Sequence, residues 1–531
     1  MSQPDVIVIG SGIGGLSCAA LLAYYGREVL VCESHSIPGG AAHSFERSGY
    51  VFDSGPSLHA GISHWPSSNP LQHVLQLLDE PVPCIPYHGW DCYLPEGDFT
   101  AEVGAEAFYP LLRSLRGESA VEEWRALQQV MAPLGRAATA LPPAGWRWDW
   151  AGPLAIARYA PRLLAHAGAL AQLGGPFSDI LDAHVHDPFI RNWLDLLCFL
   201  LSGLPARGTS AAEMAFMFAD WYQPGVVLDY PQGGGGAIIA ALIRGIEKHG
   251  GEVRCNAHIE SVLLESGRAA GLRLRGGEVV RSRQAIVSNA SAWDTVKLIP
   301  DPQLQKKFTR PPACDSFLHL HLGFDATGLD HLACHHLMLD DWQRGLTAPQ
   351  NAVLVSIPSV LDPSLAPPGQ HALHAYTPAT EPYAIWAGLD RRSPEYQARK
   401  QERLEPVWQA LERAIPDLRS RCQLILAGTP LTHARFLRRD RGSYGPAISA
   451  SDGLFPGARS PVPGLLCCGD ATFPGIGVPA VAASGMLAAN TLVSVFEQWR
   501  MLEHLESLPP YDNNARVTAD QQPPSAGETA A

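Results

Sequence analysis

An α/β fold, with α+β character in a second domain, is what this sequence predicts, and three observations predict it. Residues 5–33 read as strand, glycine turn, helix, strand and acid. Residues 226–292 and 441–505 return to glycine turns beside buried-strand patterns. Between them, residues 86–225 read as helices and 293–440 as mixed strands and helices. The expected organisation is a Rossmann-like nucleotide-binding domain built from 1–85, 226–292 and 441–505, interleaved with a mixed-sheet and helical substrate domain from 86–225 and 293–440. Residues 506–531 are left as a tail. A chain of 531 residues is too long for one core, and its 46% hydrophobic content is enough to fill two.

The first element is Asp5-Val6-Ile7-Val8-Ile9, a β-branched run suited to a strand buried on both faces. Gly10-Ser11-Gly12-Ile13-Gly14-Gly15 follows, then Leu16–Tyr25 with helical periodicity. In this order Gly10 makes the tight turn, Gly12 lets a pyrophosphate approach the backbone, and Gly15 lets helix and strand pack closely. A second strand, Glu28–Cys32, ends on Glu33, 18 residues past Gly15, where a carboxylate accepts from ribose hydroxyls. A second doublet, Gly39-Gly40, comes soon after that acid. NAD domains rarely need one, whereas a flavin passes its pyrophosphate and ribityl chain across a second loop with open N–H groups, so the expected cofactor is FAD.

In the middle, Tyr230-Pro-Gln-Gly-Gly-Gly-Gly236 opens a helix over 237–249, Gly250-Gly251-Glu252-Val253 opens a strand, and Ile259–Leu264 is another. A β-meander is expected from 270–274, 278–281 and 284–288, running into Asn289. The third part, Val462–Ala480, ends a strand on Gly469-Asp470 and passes Gly475-Ile-Gly477-Val478 into a small-residue helix over 481–493. Asp470 is placed for a ribityl hydroxyl. The helix opening near Val478 aims N–H groups at the flavin edge that turns negative on reduction. No strand abuts this last glycine turn, so no separate pyridine-nucleotide domain is expected.

Other function classes are disfavoured. A formal net charge of −13 argues against nucleic acid as a partner. The eleven cysteines never form CxxC and only Cys467-Cys468 are adjacent, so neither a disulfide framework nor a zinc site is indicated, and a reducing compartment fits. Residues 1–10 run directly into a strand pattern, so no leader is expected in this sequence. Phe189–Leu204, the most apolar window, is interrupted by Arg191, Asn192 and Asp195 and does not read as a membrane span. Leu154–Leu173 reads as an amphipathic helix packed on the core, with peripheral membrane contact as the alternative. Residues 509–531, rich in Pro, Ala and polar residues, read as disordered.

Pro38–Ser57, Gly428–Pro446 and Pro463–Gly485 together resemble the carotenoid isomerase (prolycopene isomerase-like) branch of the phytoene desaturase and amine-oxidase-like flavoproteins, from Asp5 to about Val495. The resemblance implies an FAD domain of glutathione-reductase type. Its cofactor contacts carry over to Gly10, Gly12, Ile13, Gly14, Gly15, Glu33, Gly39 and Gly40. Ile259 would hold the adenine through its backbone, and Gly469, Asp470, Gly477 and Val478 would flank the ribityl chain and isoalloxazine. Ala41-Ala42 depart from the arginine or serine common after the doublet in that family.

The resemblance also implies a long uncharged polyene as substrate, and the apolar stretch Trp146–Phe218 suits a tunnel wall as well as a core. The implied reaction is cis-to-trans isomerisation with reduced FAD. The alternatives are a desaturase or saturase with an external electron donor or acceptor, and a non-catalytic flavin- and carotenoid-binding assembly partner. The implied location is cytoplasmic or plastid-stromal, at the periphery of a thylakoid or plasma membrane. No catalytic acid or base stands out. Asp53 is the one candidate, weighed against a loop-tying role. The basic run His433, Arg435, Arg438, Arg439 and Arg441 reads first as inter-domain ion pairs, and second as contacts to anionic lipid or a flavin phosphate. His319 and His321 alternate onto one face of a strand. With no third ligand near them in sequence they read as sheet packing, and no metal is expected.

Overall fold

The computed structural model describes residues 3–512. Its nucleotide half is a parallel five-stranded sheet in the order Glu252–Arg254, Val29–Cys32, Val6–Ile9, Ala285–Ser288, Leu465–Cys467. Val6 pairs with Val29 on one side and Ala285 on the other. Alternate side chains of the central strand leave by opposite faces. Val6 and Val8 pack with Leu16, Ile238, Ala241 and Met486, from the helices Ile13–Tyr24, Gly236–Lys248 and Val478–Thr491. Ile7 and Ile9 pack on Ile259, Val262 and Leu272 of an antiparallel three-stranded sheet, 259–265, 268–274 and 279–281. A sheet covered on both faces needs strands that are apolar throughout, which is why these read as continuous β-branched runs.

The second half is a seven-stranded sheet in the order Cys422–Gly428, His319–Asp325, Gln370–Tyr376, Ala352–Ser356, His335–Leu339, Gly89–Leu94, Gly97–Glu102. Only His335–Leu339 with Gly89–Leu94 is parallel. Leu320, Leu322 and Phe324 pack on one face against Val407 and Leu411 of the helix Pro394–Ala414. At the other end of the sheet, Trp90, Cys92 and Leu94 meet a helical layer centred on Phe108, Trp124 and Trp193. Rings in that layer stack, Phe108 on Trp193 at 5.4 Å, adding a geometric preference to their large buried area.

Three sequence expectations change here. Ala285–Ser288 is not part of the meander: it lies in the parallel sheet between Val6–Ile9 and Leu465–Cys467. All four of its residues are buried, so its lack of polar alternation suits a two-faced position. Leu154–Leu173 is not one helix packed on the core but a chain of short turns, 152–156, 157–159, 160–165 and 167–173. Pro161 stands in the first turn of 160–165, His166 separates that turn from 167–173, and Leu164 stands 75% exposed. The tail begins later than expected: Val495–Ser507 is a helix, and Tyr511–Asp512 pairs antiparallel with His64–Trp65. Residues 513–531, where the disordered tail was expected, lie outside the described residues. Among the described residues no helix is long and apolar enough to cross a membrane.

Candidate functional site

The glycine turn after Val6–Ile9 leads into Ile13–Tyr24 with Gly10 at φ +88°. Only close packing explains the next glycines. A Cβ on Gly12 would stand 2.7 Å from Asn289 Nδ2, one on Gly14 2.8 Å from Asn289 Oδ1, and one on Gly15 2.2 Å from the Gly10 carbonyl oxygen. The second doublet closes over the first. Gly39 (φ +119°) bridges Gly12, and a Cβ on Gly40 would lie 3.0 Å from Gly12 Cα. The first-turn N–H groups of Ile13–Tyr24 have no carbonyl of their own helix to bond, so this double loop leaves donors open to an anionic group such as a pyrophosphate.

Glu33 is buried at the end of its strand and lines the cleft. Its Oε2 accepts from Ser11 N–H at 2.9 Å and Ser11 Oγ at 2.6 Å, and its Oε1 from His35 N–H at 2.7 Å. The carboxylate therefore braces the glycine loop from the wall of the cleft. Ser11 Oγ in turn accepts from Gly39 N–H at 3.1 Å, tying the two loops together. At the far end, Gly469 (φ +101°) and Asp470 follow Leu465–Cys467, and Gly477 (φ +102°) caps Val478–Thr491.

One cavity of about 1740 Å³ joins these parts. Gly10, Gly12, Ile13, Gly14, Glu33, Gly39, Gly40, Ile259, Gly469, Asp470, Gly477 and Val478 all line it. Gly15 does not; its part is the close approach of helix and strand. The residues fit FAD: an acid and Ile259 at one end, glycine loops and a helix N-terminus in the middle, and Asp470 with a second helix N-terminus beyond. When bound, FAD supplies a redox-active ring. The chain supplies the loops that hold it and, at Val478, N–H groups that favour negative charge.

Asn289 is a site residue that the sequence reading passed over. It follows Ala285–Ser288 at the carboxyl edge of the sheet, where ligands of such sheets bind, and its amide wedges between the glycine turn and Gly469. Asp53, the acid–base candidate, does not line the cavity. It accepts from Ser44 Oγ at 2.6 Å, Tyr230 Oη at 2.8 Å and Gly235 N–H at 2.8 Å, which gives it the loop-tying role. Burial pushes its carboxyl up, against those three bonds.

In the basic run, Arg439 donates to Asp470, while Lys297 bonds both Asp294 (2.8 Å) and Asp440 (2.6 Å). Arg438, Arg439 and Arg441 reach the cavity. Arg439→Ala is expected to lower the melting midpoint by the equivalent of about 1–3 kcal/mol, between a surface and a buried pair, because it strands a mostly buried carboxylate. Thermal unfolding with and without FAD checks this, and an unchanged midpoint would show that solvent already compensates Asp470.

The reading of His319 and His321 as lacking a third histidine is corrected. The register that sets His321 opposite His374 puts donor atoms of all three within 4.8 Å of one another, buried on the face opposite the helix Pro394–Ala414. His321 and His374 stack in parallel at 4.2 Å and 3°. Burial pushes all three well down, His319 to about 4, and of the three only His374 lines the cavity.

Comparisons with known proteins agree with this geometry. The family model described as flavin-containing amine oxidoreductase matches residues 13–493. The chloroplastic prolycopene isomerase of Arabidopsis thaliana is 33% identical over 92% of this chain and 82% of its own. The all-trans-retinol 13,14-reductase of Danio rerio is 27% identical over 88% and 82%. An oxidoreductase of Methanosarcina mazei shares the fold at TM-score 0.58 and 19% identity, over 91% of this chain and 98% of its own. With a glycine cradle, an acid and a sheet edge of the kind FAD requires, the chain belongs to the flavin-containing amine oxidoreductase family, in its carotenoid isomerase-like branch, and is an FAD-dependent enzyme.

Proposed function

We propose that this enzyme converts a carotenoid-like polyene from cis to trans, using FAD in its reduced state without net electron transfer. The observation that carries the reading is the cavity. From the cofactor loops it continues into the helical layer, where Leu163, Leu170, Leu197, Leu201, Phe216 and Met217 form its wall. An apolar passage of this size suits a long uncharged ligand and excludes water from the reacting bonds. Similarity to prolycopene isomerase supports the reaction type. The chain's own contribution would be to orient the polyene along that wall, while the helix N-terminus at Val478, which also lines the cavity, would favour negative charge on a bound flavin.

A face for substrate entry goes with this reading. Trp150 is 88% exposed, and Leu164, Leu454 and Phe496 stand out in solvent as well. Leu163 and Leu454, neighbouring or within that set, also line the cavity. Large exposed apolar side chains beside a cavity mouth suit peripheral contact with a membrane holding the substrate. The reading that goes with it is peripheral contact with a bilayer from the cytoplasm or plastid stroma.

Similarity to a retinol reductase favours a second reading, in which two hydrogens are added or removed and an outside electron partner takes part. Enzyme reduced once under nitrogen separates the two. Conversion of many equivalents of a cis-carotenoid to product of unchanged mass is the expected result. Product differing by two hydrogens, formed only in proportion to an added donor or acceptor, would establish the second reading instead.

A further inference from the structure

Two acids interrupt the apolar wall. Glu213 and Asp220 lie on the helix Ala211–Trp221, two turns apart on one face, about 10.5 Å along the axis. Phe216 and Met217 lie between them and line the cavity with them. Ser210 fixes the start of the helix, its Oγ accepting from Glu213 N–H at 3.2 Å. Among the described residues neither carboxyl has a hydrogen-bond or cationic partner. Burial alone pushes Glu213 up to about 7; burial, with Asp229 nearby, pushes Asp220 to about 7. Asp229 is itself engaged by Ile62 N–H, Ser63 N–H and Ser63 Oγ.

Among the described residues no neighbouring cation neutralises these acids by pairing. Cys198 and Asp195, from the helix Pro188–Ser202, lie on the Glu213 side, and Asp195 accepts from Ala206 N–H at 2.7 Å. Burial holds His59 neutral, pushed down to about 4; it is 5% exposed, lines the same cavity, and leaves its Nε2 without a partner. Unpartnered polar groups along an otherwise apolar wall point to a ligand that uses them. A hydrocarbon polyene offers no atom to accept a hydrogen bond, so recognition cannot be their task. What a carboxyl that keeps a protonated population at neutral pH can do to a C=C bond is transfer a proton.

We propose that Glu213 and Asp220 exchange protons with the bound polyene, each lending a proton to an alkene carbon so that the adjoining bond can rotate. The inference rests on the isomerase reading above. The carboxyl O–H bond breaks as a C–H bond forms on a vinylic CH carbon, leaving a carboxylate and a positive charge delocalised along the polyene. The former double bond is now single and turns. The rotation that carries cis into trans brings that carbon's original hydrogen to the face from which the new one came. The original C–H bond breaks, its electron pair restores the double bond, and the proton returns to the same carboxylate. Nothing is oxidised or reduced, and each event leaves one carboxyl-derived hydrogen in the product.

The test is isomerisation of a cis-carotene in D₂O by the intact flavoprotein, reduced once under nitrogen, with the product read by mass spectrometry. One deuterium per isomerised bond is expected. The E213Q/D220N double variant should keep its flavin spectrum and its uptake of carotene while losing at least about tenfold in rate, together with the label. Isomerised product without deuterium overturns proton exchange and leaves the isomerase reading standing. A double variant with wild-type rate and label also overturns the assignment, and absence of any isomerisation by the wild type overturns both readings. Because the label is read first on the wild type, a variant that fails to fold cannot shield the proposal.

Discussion

Gly15→Ala is expected to strip most of the FAD from this protein and to lower its melting midpoint. In an exposed helix the same change is favourable by up to about 1 kcal/mol, since alanine is the better helix former. Here the new Cβ would lie 2.2 Å from the Gly10 carbonyl oxygen and 3.0 Å from Asn289 Cβ. Both obstacles are fixed: Gly10 is held by its N–H bond to the Cys32 carbonyl at 2.8 Å, and Asn289 by its N–H bond to Ile9 at 2.9 Å. Helix and strand must move apart by about an ångström, an overpacking cost of roughly 3 kcal/mol that outweighs the propensity gain. The movement spreads the cradle, so a loss of at least about tenfold in FAD affinity is expected. Gly168→Ala, exposed in the helix 167–173 where nothing lies within 4 Å, is the control: it should leave flavin content unchanged and hold or slightly raise the midpoint. Flavin content by absorbance and a thermal melt check both; a fully loaded variant with an unchanged midpoint would mean that this approach does not matter to the site.

Glu33→Ala is the second large effect, and the structure enlarges it beyond the loss of a ribose acceptor. Ser11 N–H, Ser11 Oγ and His35 N–H all give their hydrogen bonds to this carboxylate. Each donor left unsatisfied costs roughly 1–3 kcal/mol, and Ser11 would also lose its hold on Gly39. A fall in FAD affinity of tenfold at the least, and toward about a thousandfold if the loops separate, is expected. Glu33→Gln keeps one acceptor oxygen and should recover part of the loss. Glu46→Ala, on the exposed end of Ser44–Arg47, should leave affinity unchanged. Titration of apoprotein with FAD, followed by flavin fluorescence, gives all three constants, and equal affinities for the Glu33 and Glu46 variants would remove Glu33 from the site.

Much of the nucleotide half was legible because its signals are local. Val6–Ile9, the glycine turn and Ile13–Tyr24 are consecutive, and Glu33 follows at a distance set by one helix and one strand. Asn289 was not read as a site residue, although it sits at a strand's carboxyl end, because nothing in its neighbours says that the strand inserts beside Val6–Ile9 rather than extending a meander. His374 was invisible as the companion of His321 for the same reason: the two are 53 residues apart and meet only through strand register. Leu154–Leu173 misled in the opposite direction, because helical spacing survives in a segment broken into short turns.

By itself, the sequence determined that a dinucleotide cradle exists, that it carries a second glycine loop, and that it belongs to FAD. Steric demands on a glycine, or on a strand buried on both faces, are imposed within a few residues and so are written there. Tertiary structure alone decided that Glu213 and Asp220 face the same cavity as the cofactor loops, that Asp53 does not, and that Arg439 pairs with Asp470. A cavity is bounded by side chains brought together from distant segments by the packing of sheet on helix. Its chemistry is therefore fixed by which faces the core leaves unfilled, and no local pattern of residues encodes that.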